Sequence, residues 1–291
     1  MIGTGTVEMD GRERRRLPPG VRPLFGDGGE GRTLSVELPA GSVVWPDPTY
    51  LRFPSAVRGR PAFWLSEAPA TGSLYARLRA EHPRSGLWPV LLEESVQPWS
   101  VGQIAPDAAA EIDNYNVGAF MEEVWADWVQ RASEDQIEIL DPFGPLCPGP
   151  AEPTELVEPG GTRPDPGAVA DWYAATLAEQ GMPVGLAAVD RGADALAVMG
   201  WQGALHHNEW NVPLAAVVRS WEDRFGVRLV CMGFNTLELS VAAPPTTAHH
   251  AVHVAAEHWA FCPDAIIQGA GTLQDYAEQL RGRHTWSFWW D

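Results

Sequence analysis

The chain contains no lysine; all twenty of its basic residues are arginine. With abundant alanine, glycine and proline, this composition points to a GC-rich bacterial genome and carries no information about activity. Cysteine is scarce. Cys147, Cys231 and Cys262 are far apart and odd in number, which excludes a disulfide framework and fits a reducing cytoplasm. No apolar run approaches the eighteen residues of a transmembrane helix, so no membrane association is expected. The N-terminus, MIGTGTVEMDGRERRR, has no apolar segment behind its charges and does not read as a secretory signal. Basic charge is nearly missing from one stretch: residues 93–162 hold one arginine against fifteen acids, a net −14 within a total of −18. That balance disfavours nucleic acid, which needs a basic face, and makes a basic protein the expected partner. Glycine-rich FGDGGEGR at 25–32 lacks the GK[ST] ending of a phosphate loop. No cofactor is expected.

What is present is an uneven layout. Residues 1–20 read as a flexible arm, with RERRR followed by Pro18-Pro19-Gly20. Residues 21–140 read as an N-terminal α/β region. Within it, strands are expected at 33–38, 43–45, 62–65 and 87–92, and a helix capped at Thr71 or Ser73 between the last two. Residues 95–114 read as loop. Asn116 starts a helix with Val117, Phe120, Met121, Val124 and Trp128 at core spacing and Glu122, Glu123 and Asp127 away from it. Residues 141–164 carry seven prolines and four glycines and read as a linker or surface loop.

Residues 165–291 form the expected C-terminal domain. Asp165-Pro166 caps a helix whose inward residues should be Val169, Trp172, Tyr173, Thr176 and Leu177. Strands are expected at 184–189, 195–199, 228–232, 236–242 and 286–290, with a helix from Asn211 to the glycine stop at Gly226. The fold class is therefore α+β. A mixed, partly antiparallel sheet with packed helices makes the C-terminal domain, and a smaller N-terminal α/β unit docks against it.

Chemistry-bearing side chains concentrate in HHAVHVAAEHWAFCPDAIIQ at 249–268. A helix is expected there, with Ala248, Ala251, Val252, Ala255 and Trp259 inward and Pro263 ending it near Phe261 or Cys262. A short extended piece should follow at 265–267. Three readings compete. His249, His253 and Glu257 stand on successive turns and have metal-ligand spacing, but neither HExxH nor paired CxxC is present, so no metal is expected. Cys262 and His258, four apart, suit a thiolate nucleophile with its base, with Asp264 as a third member. The remaining reading is a buried polar network of Glu257, His258, Asp264 and Gln268 that fixes the helix end. Gly269 and Gly271 precede a helix capped at Thr272, a setting for an anion.

GWQG at 200–203, VVRSWEDRFGVRLVCMGFNTLELSVAAPP at 217–245, AAEHWAFCPDAIIQGAGTLQDYA at 255–277 and WSFWWD at 286–291 resemble the bacterial domain of unknown function 4253. The resemblance runs from about Val184 to Asp291, and GLWPVLLEE at 86–94 resembles the N-terminal part of longer actinobacterial members. Asn235 departs from it, standing where many members carry aspartate. The resemblance implies a cytoplasmic bacterial protein with an α+β domain and supplies no activity. It adds Trp201, Glu222 and Arg224 to the positions to watch. If a site exists, His258 should lie within reach of Asp264 or Glu222 beside a concave surface. Two functions remain open: a non-enzymatic binding module of the immunity or accessory type, whose acidic surface covers a basic partner, and a small hydrolase or transferase using Cys262 with His258.

Overall fold

Leu87–Leu92 reads LWPVLL, six residues with no polar side chain, and all six are buried. Such a run fits only a strand covered on both faces. In the computed structural model, which describes residues 16–51, 59–93, 98–154, 164–204 and 210–291, this strand lies at the centre of the sheet. The elements in chain order are β1 (Gly41–Val44), β2 (Phe63–Ser66), α1 (Gly72–Ser85), β3 (Leu87–Leu92), α2 (Ala109–Ile112), α3 (Val117–Arg131) and α4 (Glu134–Ile137). They continue with α5 (Pro166–Ala178), β4 (Val184–Ala188), α6 (Ala195–Val198), α7 (Asn211–Phe225), β5 (Val227–Met232), β6 (Thr236–Val241), α8 (Ala248–Phe261), α9 (Leu273–Leu280) and β7 (Thr285–Trp289). Among the described residues no helix is long and apolar enough to cross a membrane.

The strands form one mixed sheet in the order β1-β2-β4-β3-β5-β6-β7, antiparallel except where β3 runs parallel to β5. The fold is α+β, as expected. The N-terminal unit exists as β2-α1-β3, but β4 from beyond residues 141–164 fills the gap between β2 and β3. The two halves expected on either side of that stretch therefore share one sheet.

Pro89 sits in the central strand, an unusual place because proline has no N–H to donate. The β5 ladder starts only at Leu91. The Leu229 carbonyl on β5 instead accepts Trp88 Nε1 at 3.1 Å and Tyr75 Oη at 3.4 Å. The sequence therefore supplies side-chain donors where the backbone donor is missing.

Two apolar cores flank the sheet. One, under α1 and α5, gathers Tyr75, Leu78, Leu87, Leu91, Ala170, Ala174 and Val230. The other, larger core lies under α3, α7, α8 and α9, with Trp88, Val90, Trp221, Trp259, Phe261 and Phe288. α5 buries a face rotated from the one its large residues suggest, with Leu177 buried as expected and Tyr173 packed at its edge. Gly167, Ala170, Ala174 and Leu177 are inward, whereas Trp172 is 57% exposed and Thr176 is exposed. The cause is close helix contact: a Cβ on Gly72 of α1 would meet Ala175 Cα at 2.5 Å. Only small residues fit there, so the small face wins over the large one.

Three expected strands are absent. Residues 33–38 contribute only an isolated bridge, Arg16 to Thr33. Residues 195–199 are helical as α6, and residues 265–267 lie in a π-helical turn, Ala265–Ala270. Residues 95–114 contain α2 and a short 3-10 turn, Pro98–Val101, rather than loop alone. Ala248 is exposed instead of inward. The bulk of the 1–20 arm, and the histidine pair at 206–207, lie outside the described residues.

Candidate functional site

Thr247 caps α8 by accepting the His250 N–H, and Pro263 ends it after Phe261, as its sequence requires. The helix is then buried nearly all round from Val254 onward. That burial decides what its polar residues do.

Glu257 is fully buried, and its carboxylate accepts four donors. Oε1 takes the Ala151 N–H at 2.8 Å and Arg224 Nη1 at 2.6 Å. Oε2 takes Arg224 Nη2 at 2.6 Å and Trp221 Nε1 at 2.9 Å. Arg224 also donates to the Ala151 carbonyl at 2.6 Å. One ion pair thus ties α7, α8 and the segment at residue 151 together. His249 and His253 lie on the outer side of α8, where His253 Nδ1 meets the His249 carbonyl at 2.8 Å. The three-turn ladder of His249, His253 and Glu257 therefore does not converge.

His258 is fully buried between Trp221, Trp286 and Phe288, with ring centroids 4.9, 4.4 and 4.8 Å away. Its Nδ1 lies 3.1 Å from Tyr276 Oη, and Nε2 has no hydrogen-bond partner. The expected carboxylate contact is not formed. Burial, with Arg224 nearby, holds its pKa well below the usual histidine value, so the ring is neutral. Cys262 is equally enclosed: its thiol donates to the Trp289 carbonyl at 3.0 Å and burial pushes its pKa up to about 12. The two side chains share only the backbone hydrogen bond from Cys262 N–H to the His258 carbonyl, 2.8 Å. A thiol in this state is a packed core residue.

The concave surface lies one turn further on. Asp264 accepts Gln268 Nε2 and the Asp291 N–H, each at 3.0 Å, and it borders a groove of about 620 Å³. Trp259, Phe261, Pro263 and Ile267 form one wall; Phe120, Val124 and Trp128 of α3 form the other. The walls touch through edge-to-face rings, Trp128 to Trp259 at 5.5 Å and Trp125 to Trp259 at 5.1 Å. Sequence spacing read Val124 and Trp128 as core, yet both are only half-buried. The signal that they edge a groove is the acid density beside them. Glu122, Glu123, Asp127, Glu134, Asp135, Glu138 and Asp141 are all exposed along α3, α4 and the turn after them. Arg131, on the same groove, is spent on Asp127 at 2.6 Å.

The remaining expected site residues are scattered. Trp201 is buried, donates Nε1 to the Gly233 carbonyl at 2.9 Å and meets Trp290 edge-on at 5.1 Å. Glu222 lies in a different, smaller cleft beside His82, Trp88 and Arg228. It accepts Arg191 Nε at 2.9 Å and the Ala193 N–H at 3.1 Å, while burial raises its pKa against the lowering effect of Arg191. Arg191, and Asp194 paired with Arg219, are structural charges that the sequence reading did not single out. Gly269 and Gly271 belong to the π-helical turn and its end. Thr272 Oγ1 accepts the Asp275 N–H at 3.1 Å and lies 2.8 Å from the Asp275 carboxylate. The start of α9 thus already carries its own anion.

These features define an α+β protein on a seven-stranded mixed sheet whose acidic face holds an apolar groove. Its C-terminal part, residues 183–291, matches the family model described as Domain of unknown function (DUF4253), the family that the sequence motifs resemble. The match supplies β4, β5, β6 and β7 and the α8 wall of the groove; the central β3 and the α3 wall come from outside it. No curated protein and no solved structure matches the chain.

Proposed function

We propose that this is a non-enzymatic binding protein of the immunity or accessory type, acting in the bacterial cytoplasm on a basic protein partner. The observation that carries the reading is the groove beside Asp264. Its apolar walls can take an aliphatic or aromatic anchor, and the exposed carboxylates of α3 and α4 can steer and hold arginine or lysine around it. Three free, widely separated cysteines accord with a reducing compartment. Nothing favours the alternative Cys262–His258 chemistry, since the thiol is sealed and protonated and the imidazole has no carboxylate. The reading is tested with a photo-crosslinking residue at Val124, compared with the same residue at Trp172 on the α5 side. In the native host, position 124 should capture one stoichiometric basic protein that position 172 does not. Equal capture from both positions would reject the groove as the interface.

A further inference from the structure

A second cavity, of about 440 Å³, lies at the end of the sheet where the parallel strands β3 and β5 finish. Crevices outside the carboxyl ends of parallel strands are a recurrent place for small ligands, and this volume is within their range. Three stretches of the matched domain converge on it: Gln202 and Gly203, Phe234 and Asn235, and Trp290 and Asp291. Tyr50, Trp99, Gln103 and Ile104 arrive from the N-terminal half.

Two side-chain amides border the cavity without a partner among the described residues. The side-chain amides of Gln103 and Gln202 make no hydrogen bond to any described residue, and neither does the indole N–H of Trp290, a residue only 2% exposed. Gln103 and Gln202 are only half-buried, so their amides are open to a partner from outside the chain, whereas the Trp290 N–H is enclosed and out of its reach. Two aromatic rings stand open beside them, Tyr50 at 39% and Phe234 at 58% exposure. Gly203 makes the arrangement possible: a Cβ there would lie 2.1 Å from the Trp201 ring and 2.7 Å from the Phe234 carbonyl.

The lining selects the ligand class. Among the described residues Asp291 is the one charged residue that lines it and no arginine does, so phosphates and carboxylates are disfavoured. A purely apolar molecule would take water from the amides and leave them unpaired. What fits is a neutral molecule with a C–H face for the rings and hydroxyls for the amides. We infer that this cavity binds a saccharide, stacked on Phe234 or Tyr50 and hydrogen-bonded by the amides of Gln103 and Gln202. This site is separate from the acidic groove and does not depend on it.

The test is saturation-transfer NMR followed by titration of the full chain. The probes are glucose, galactose, N-acetylglucosamine and their β1-4-linked dimers, with adenosine as the stacking control. Binding of at least one saccharide is expected, weakened roughly tenfold by Phe234→Ala and by Gln202→Ala, the equivalent of about one lost hydrogen bond or ring contact each. Phe234 is largely exposed, so its alanine variant should melt with the native protein. Absence of binding by every saccharide, binding of adenosine alone, or saccharide binding unchanged in both variants would each overturn the assignment.

Discussion

Arg224 and Glu257 meet through two parallel contacts of 2.6 Å, with the glutamate side chain wholly enclosed and the arginine 13% exposed. Removing one partner of such a pair strands the other charge in the core, whereas exchanging both for apolar groups does not. Arg224→Ala should therefore cost about 3–5 kcal/mol of unfolding free energy, and Arg224→Met with Glu257→Leu should cost less than the single change. Urea denaturation measures both. A loss below about 1 kcal/mol for Arg224→Ala would show that the pair is not the clasp described here.

The histidine at the centre of the aromatic cluster gives the protein an acid-sensitive term. His258 has a folded pKa well below its ordinary value because burial and Arg224 disfavour the cation. As pH falls through about 6.5, the unfolded chain takes up a proton at this position and the folded one does not. The contribution of His258 to stability then falls with falling pH, by up to about 1.4 kcal/mol per pH unit for one proton. His82, whose pKa is also lowered by burial, contributes in the same direction. His258→Gln should keep a partner for Tyr276 and flatten the decline below pH 6.5, leaving the share due to His82. Melting temperatures across pH 4–7 test this. An unchanged slope in the variant would mean that His258 is protonated in the folded state.

The central strand and α7 were legible because each pattern had one physical solution. LWPVLL excludes an exposed face, and Leu214, Val217, Val218, Trp221 and Phe225 mark one helical side, all buried. Residues 195–199 were not, since a short apolar run of that length serves a strand or a buried helical turn equally well. The face of α5 was misread because residue size argued for Trp172, while the contact between Gly72 and Ala175 is visible only when two distant helices are placed together. The same limit applied at the site. Glu257 was expected to share a buried network with His258, Asp264 and Gln268, but its partners are Arg224, Trp221 and Ala151, from 33 to 106 residues away, while His258 meets Tyr276 and only Asp264 and Gln268 pair with each other. His258 was expected to meet Asp264, six residues on, or Glu222. Pro263 turns the chain so that one faces the core and the other the groove.

Cys262 should behave as a core thiol. With its pKa near 12, it stays protonated in the folded protein through the range where free cysteine ionises. Iodoacetamide at pH 8.5 should leave it unmodified in the native state and alkylate it once the chain is unfolded, as peptide mass spectrometry will show. The linkage runs opposite to that of His258. Above about pH 9 the unfolded thiol loses its proton and the folded one keeps it, so stability falls as pH rises towards 12. Cys262→Ala should remove that alkaline component. Rapid labelling of the native thiol at pH 8.5 would contradict the burial found here.

The acidic groove makes the most direct functional prediction. Coulomb steering by several exposed carboxylates acts over roughly a Debye length, about 8 Å at physiological salt, and fades as salt rises. Glu123 and Asp127 are both exposed on α3, and Asp127 lines the groove. Neither is buried, so reversing them costs little stability; Asp127 loses only its surface pair with Arg131. Glu123→Arg with Asp127→Arg should melt within a few degrees of the native protein. It should slow association with the partner captured at Val124 by about tenfold or more at low salt, with the gap closing as salt is raised. Val124→Arg should act differently. It places a charge against the apolar wall, so it should speed dissociation at every salt concentration. Surface plasmon resonance separates the two effects as on-rate and off-rate. If charge reversal left the on-rate and its salt dependence unchanged, the acidic face would have no part in binding, and the groove would have to take its partner through apolar contact alone.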